Sequence, residues 1–100
     1  MDEIIVHKFG GSCLRESGDI DRIFEVLNES TGTPIVVVSA LWGMTDILLR
    51  AAREPRYAGR LVEDLRSQHL RFAPGLESSQ FGELFVKVLD GISKELVKLS

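Results

Sequence analysis

Lys8-Phe9-Gly10-Gly11-Ser12 brings an amine, a glycine pair and a hydroxyl together in one short stretch. Phosphoryl transfer calls for those parts: backbone N–H groups around phosphate oxygens and a cation over the transferring group. The stretch is not a P-loop, because the lysine precedes the glycines and no G-x-x-x-x-G-K-[ST] pattern occurs in the chain. A strand-ending lysine and a tight turn would have the same residues. A second group lies further along, with Ser39 at the end of an apolar run and Thr45-Asp46 at the start of a helical pattern. Hydroxyls and free amides at a helix N-terminus suit a small carboxylate. They serve equally to cap and close a turn.

These groups need elements to hold them. Ile4-Ile5-Val6-His7-Lys8-Phe9 is rich in β-branched residues and stops at the glycines, which reads as a strand. Glycine there lets the backbone approach a ligand closely. Ser17 is the predicted cap of a helix over 19–29, whose apolar positions Ile20, Ile23, Phe24 and Leu27 share one face. Ser30-Thr31-Gly32-Thr33-Pro34 stops it, and Ile35-Val36-Val37-Val38 reads as a second strand suited to burial on both faces. Strand, helix and strand in this order make a βαβ unit with parallel strands, which puts both candidate loops at the carboxyl ends of the strands. Thr45-Asp46 is the predicted cap of the next helix, and Pro55 either ends it or starts another. Ala58, Leu61, Leu65, His69 and Phe72 keep helical spacing until Pro74-Gly75, and Ser78 or Ser79 is predicted to open a last helix with the stripe Leu84, Phe85, Val88, Leu89, Ile92 and Leu96. That helix runs to Ser100 with no capping glycine behind it.

Val6-His7-Lys8-Phe9-Gly10-Gly11-Ser12 resembles the opening K-F-G-G-T-S signature of the aspartate kinases. Val36-Val37-Val38-Ser39-Ala40-Leu41-Trp42-Gly43-Met44-Thr45-Asp46 resembles their second motif, V-V-S-A-x-x-G-x-T-D/N, and the two stand at the family's separation. The helical stretch from Tyr57 onward is similar only loosely. The resemblance implies an α/β fold, the αβα sandwich of the amino-acid kinases, of which residues 1–100 would be the N-terminal part of the catalytic domain. It implies transfer of the ATP γ-phosphoryl group to the side-chain carboxylate of L-aspartate, a first step toward lysine, threonine and methionine. By the same resemblance Lys8 stabilises the charge on the transferring phosphoryl. Gly10, Gly11 and Ser12 hold phosphate, Ser39 and Thr45 contact aspartate, and Mg2+ arrives with the nucleotide. Such a site works by positioning and electrostatics, without a protein nucleophile.

Two departures from the family pattern stand out. Ser12-Cys13 replaces the usual Thr-Ser, and Trp42 is bulkier than the small residue common at its position. The family's glycine-glutamate motif, its substrate arginine, nearly all adenine and ribose contacts and the regulatory domains are not found within these residues. The expectation is therefore a fragment that is inactive by itself, within an enzyme that is a homo-oligomer. A related kinase with another small acceptor and a non-catalytic association module or truncated relic are the alternatives. The second rests on two parallel strands whose edges are left unpaired.

Other chemistry finds less support. Cys13 has no base or resolving partner in the pattern, His69 sits on an apolar stripe, and His7 points away from Lys8 by strand alternation. One cysteine allows no internal disulfide and, with two distant histidines, composes no zinc site. Arg50, Arg53, Arg56, Arg60, Arg66 and Arg71 are interleaved with Glu54, Glu63 and Asp64, as on a solvated helix face. The net charge of −3 argues against a dedicated binder of nucleic acid or anionic membrane. No apolar run approaches the roughly 20 residues that span a bilayer, and the acidic Met1-Asp2-Glu3 start is unlike a secretory signal. The chain reads as a cytoplasmic protein.

Overall fold

A computed structural model describes residues 3–99. Met1, Asp2 and Ser100, where the sequence places an acidic start and the end of the last helix, lie outside the described residues. The chain runs β1 (Ile4–Phe9), a 3-10 turn (Gly11–Cys13), α1 (Ser17–Glu29), β2 (Thr33–Val38), α2 (Met44–Arg53), α3 (Pro55–Phe72) and α4 (Gly82–Leu99). This is an α/β architecture, a parallel βαβ unit followed by helices, as the opening of an amino-acid-kinase domain requires.

β1 and β2 pair in parallel from Ile4↔Thr33 to Phe9↔Val38. Backbone bonds close the ladder at both ends, from Thr33 N to Glu3 O at 2.8 Å and from Ser39 N to Phe9 O at 3.1 Å. Entry into β2 depends on Gly32, whose φ is 86° and whose missing Cβ would lie 2.3 Å from Glu3 O. Only glycine combines that left-handed conformation with so close an approach. Both strands therefore end side by side, and the two candidate loops leave from the same edge.

α1 starts at Ser17, two residues before the predicted 19, with Glu16 rather than Ser17 as N-cap. The Asp19 carboxylate explains the shift, accepting from Arg15 N at 2.8 Å and Glu16 N at 3.1 Å, with the Arg22 guanidinium at 3.4 Å. Those backbone donors, reinforced by Arg22 and Arg15, hold the buried Asp19 carboxyl below its usual range against the opposing effect of desolvation. Ile20, Ile23 and Leu27 are half-buried, while Phe24 on the same predicted face is exposed. His7, on the opposite side of β1 from Lys8, bonds through Nε2 to Ser30 Oγ at 3.0 Å.

The core lies at the other end. Met44, Leu61, Leu65 and Leu89 are buried together, with Ile47, Ala51, Val62, Phe85, Ile92 and Leu96 packed around them. Pro55 starts α3, where a missing amide hydrogen costs nothing. His69 takes the packed role expected of it, its Nδ1 donating to Leu65 O at 2.7 Å and its ring 5.8 Å from Phe85. α4 begins at Gly82, later than Ser78 or Ser79, because residues 74–81 form successive turns. Ser79 is spent there, its hydroxyl donating to Leu76 O and accepting from Phe81 N. Leu84 and Val88 of the predicted stripe are exposed, and Phe85, Leu89, Ile92 and Leu96 carry the packing.

β2 overturns one expectation. Its six residues are all exposed instead of buried on both faces. The apolar pattern is that of a central strand, but among the described residues the sheet has two strands and no layer covers β2. No described helix is long and apolar enough to cross a membrane. In the arginine-rich stretch, Arg50–Glu54 and Arg66–Glu63 pair at 3.2 and 3.3 Å on exposed surface, as a solvated face does.

Candidate active site

The ladder brings the two candidate loops into contact. A methyl group on Gly11 would lie 3.7 Å from both Ser39 Oγ and Ala40 O, so about one side-chain carbon would fill the space between the glycine turn after β1 and the serine after β2. Together they open a hollow of about 390 Å3 lined by Gly11, Ser39, Thr45, Asp46 and residues 40–44. The Ser39 hydroxyl donates to Ala40 O at 2.9 Å.

Gly10 and Gly11 invite a physical question, since neither needs to be glycine for the chain's own sake. Gly10 has φ −79°, within reach of any residue, and a methyl group there would meet no atom within 4 Å. Gly11 opens a 3-10 turn in which Cys13 N bonds Gly10 O at 2.9 Å and Leu14 N bonds Gly11 O at 3.0 Å. The first amides of such a turn have no partner inside it and point outward.

The site residues divide between two hollows. Gly11, Ser39 and Thr45 line the first. Ser12 lines a second, of about 200 Å3, with Phe9, Cys13, Asp19 and Arg22. Lys8 is exposed on β1 and Gly10 half-buried beside it, and neither lines these hollows. α2 is not capped by Thr45-Asp46. Its N-cap is Gly43, left-handed at φ 83°, and Met44 is its first residue. Thr45 and Asp46 are thereby freed from capping and stand exposed in the first turn, on the wall of the hollow.

One participant escapes the sequence reading. The Arg15 guanidinium lies 4.0 Å over the Trp42 ring, and Trp42 N donates to Leu14 O at 3.0 Å. No periodicity links residues 15 and 42, and only the side-by-side exit of the two loops does.

The sequence model of the amino acid kinase family matches residues 3–97, which takes in both loops, α1 to α3 and most of α4. The chain belongs to the amino acid kinase family. Phosphoryl transfer is thus the chemistry of its family, and the paired loops lie where an open α/β sheet binds ligands, at the carboxyl ends of parallel strands. No curated protein and no solved structure matches the chain.

Proposed function

We propose that the protein of which these residues form part is an aspartate kinase, transferring the γ-phosphoryl group of ATP to the side-chain carboxylate of L-aspartate. A carboxylate oxygen attacks the γ-phosphorus, the bond to the β-phosphate bridging oxygen breaks, and ADP and 4-phospho-L-aspartate leave. The observation that carries this reading is that Gly11, of the phosphate-type loop, and Ser39 and Thr45, of the carboxylate-type loop, line one hollow.

Each residue has a task in the transfer. Lys8 offsets charge on the phosphoryl as it moves. Gly10, Gly11 and Ser12 hold phosphate through backbone amides, and the open space above Gly10 is what a close ligand needs where the chain itself would accept a methyl group. Ser39 and Thr45 hydrogen-bond the acceptor carboxylates, helped by the positive end of α2. Among the described residues Asp46 is the one ionisable residue lining the hollow, and its charge complements the ammonium group of an amino acid. Mg2+ accompanies ATP and shields its phosphates.

The test is a panel of small amino acids and carbamate with Mg-ATP and the full-length natural protein, acyl phosphate being trapped with hydroxylamine. Hydroxamate formed from aspartate supports the reading, and turnover of another acceptor instead removes aspartate. A second reading, a non-catalytic association module, is favoured by the bare apolar face of β1, where Ile4 and Val6 are each 63% exposed. Self-association in sedimentation without nucleotide binding would favour it, and a homo-oligomer that binds Mg-ATP would serve the kinase reading.

A further inference from the structure

We propose that Arg15 and Trp42 form a clamp that sets the shape of the acceptor hollow and thereby its affinity for the acceptor amino acid. This deepens the kinase reading and rests on it for the nature of the acceptor.

Residues 39–44 form one wall of the hollow, which is held at both ends and between them, where Leu41 packs against the core. At one end, Ser39 N is bound to Phe9 O at 3.1 Å, which prolongs the strand ladder. At the other, Met44 is buried in the core with Leu61, Leu65 and Leu89. Between these ends the loop has a single tether to the glycine turn, at Trp42. Its N–H donates to the carbonyl of Leu14, a residue only 3% exposed and so a firm anchor. Its ring carries the Arg15 guanidinium 4.0 Å from the ring centre. Backbone and side chain thus fasten the same residue to two consecutive positions of the first loop.

Trp42 lines the hollow, and about half of it remains exposed. An exposed indole free to rotate would leave the hollow's width undefined. A guanidinium over the ring restricts that rotation, by stacking as well as by charge. Lys8 is held by β1 and the ladder, not by this tether. Loosening the clamp therefore disturbs acceptor binding before it disturbs phosphoryl transfer. Arg15 acts through Trp42 and is a positioning residue.

Trp42 is the only tryptophan in these 100 residues, so its emission reports the stack directly. The experiment compares Arg15→Ala, Arg15→Lys and Trp42→Phe in the full-length protein, with Trp42→Phe also supplying the background for fluorescence. Arg15→Ala is expected to shift the Trp42 emission and increase its quenching by acrylamide. It should raise the acceptor KM by about two- to fivefold, as loss of an exposed cation–π contact implies. The KM for ATP and kcat should stay within about twofold, and Arg15→Lys should recover part of the acceptor affinity. Unchanged emission in Arg15→Ala overturns the clamp, whatever the protein phosphorylates. Altered emission with an unchanged acceptor KM overturns its role in binding. If the native protein phosphorylates no amino acid, the kinase reading falls separately. An emission change on adding amino acid to the native protein, weakened in Arg15→Ala, would then still support the clamp, and no such change would overturn it.

Discussion

Around Leu61, Leu65 and Leu89 side chains face one another, whereas around Lys8, Gly11 and Ser39 they face solvent or a hollow. The helical end holds the buried cluster, and α3 and α4 contribute none of the candidate site residues. The strand end holds the two motifs on a pair of strands of which β2 is exposed along its whole length. The division shows what each half of the sequence is organised to do. Helices with a single apolar stripe bury it locally, but a parallel sheet needs cover on both faces before its strands count as core. The loops keep their geometry here because of the ladder, the Leu14–Trp42 bond and the buried start of α2 rather than by packing of the sheet itself.

Substitutions at the two ends should fail in opposite ways. The largest effect is expected at Lys8. Lys8→Ala in the full-length enzyme should lower kcat by about 10²–10³-fold, the range for removing a preorganised group that stabilises developing charge. Its urea midpoint should stay at the native value, and near-native turnover would remove Lys8 from the mechanism. Next comes Leu61→Ala, expected to cost about 2–5 kcal/mol of stability through lost burial and a cavity. Val6→Ala on the bare strand face should cost within about 0.5 kcal/mol. Equal losses at the two positions in denaturant titrations would mean that the sheet is covered in the full-length protein.

Two glycines sharpen the comparison. At Gly82, before the first turn of α4 is complete, a Cβ would lie 2.0 Å from Glu77 O, and that atom is backbone and cannot rotate away. Gly82→Ala should therefore destabilise by about 1–3 kcal/mol. Gly10→Ala should leave thermal stability unchanged or slightly higher, because its φ suits alanine and nothing occupies the space. Calorimetry should find Mg-ATP binding weakened in the Gly10 variant, and unaltered binding would take Gly10 out of the phosphate loop.

The smallest effect concerns pH. Asp19 titrates below its ordinary value near 3.8 because backbone amides of Arg15 and Glu16 donate to it. A carboxyl lowered on folding stabilises the native state above its unfolded-state value, and this contribution disappears as pH falls through the lowered one. Asp19→Asn should flatten the acid limb of the stability curve below about pH 4 and lower the midpoint slightly at neutral pH. An acid limb identical to that of the native protein would mean that the N-terminus of α1 is held by other groups.

Much of this molecule could be read from residue order. β1, the parallel partner, Pro55 as a helix boundary and the break at Pro74-Gly75 follow from local chemistry: branching, ring closure and periodicity act within a few residues. The two motifs were legible for the same reason, each being a contiguous run. Side-chain bonds to nearby backbone, turn geometry and tertiary contacts decided the rest. Glu16 displaced Ser17 as cap because the Asp19 side chain turned back to the chain before it, and Gly43 took the cap of α2 from Thr45 through a left-handed turn. Val36 and Val38 look like core in sequence and are surface here, because hydropathy encodes a preference for burial and only a neighbouring layer can satisfy it. The Arg15–Trp42 stack belongs to the same class. It joins residues 27 positions apart, and what joins them is the parallel register that ends both strands at one edge, a property of the assembled sheet that no local pattern carries.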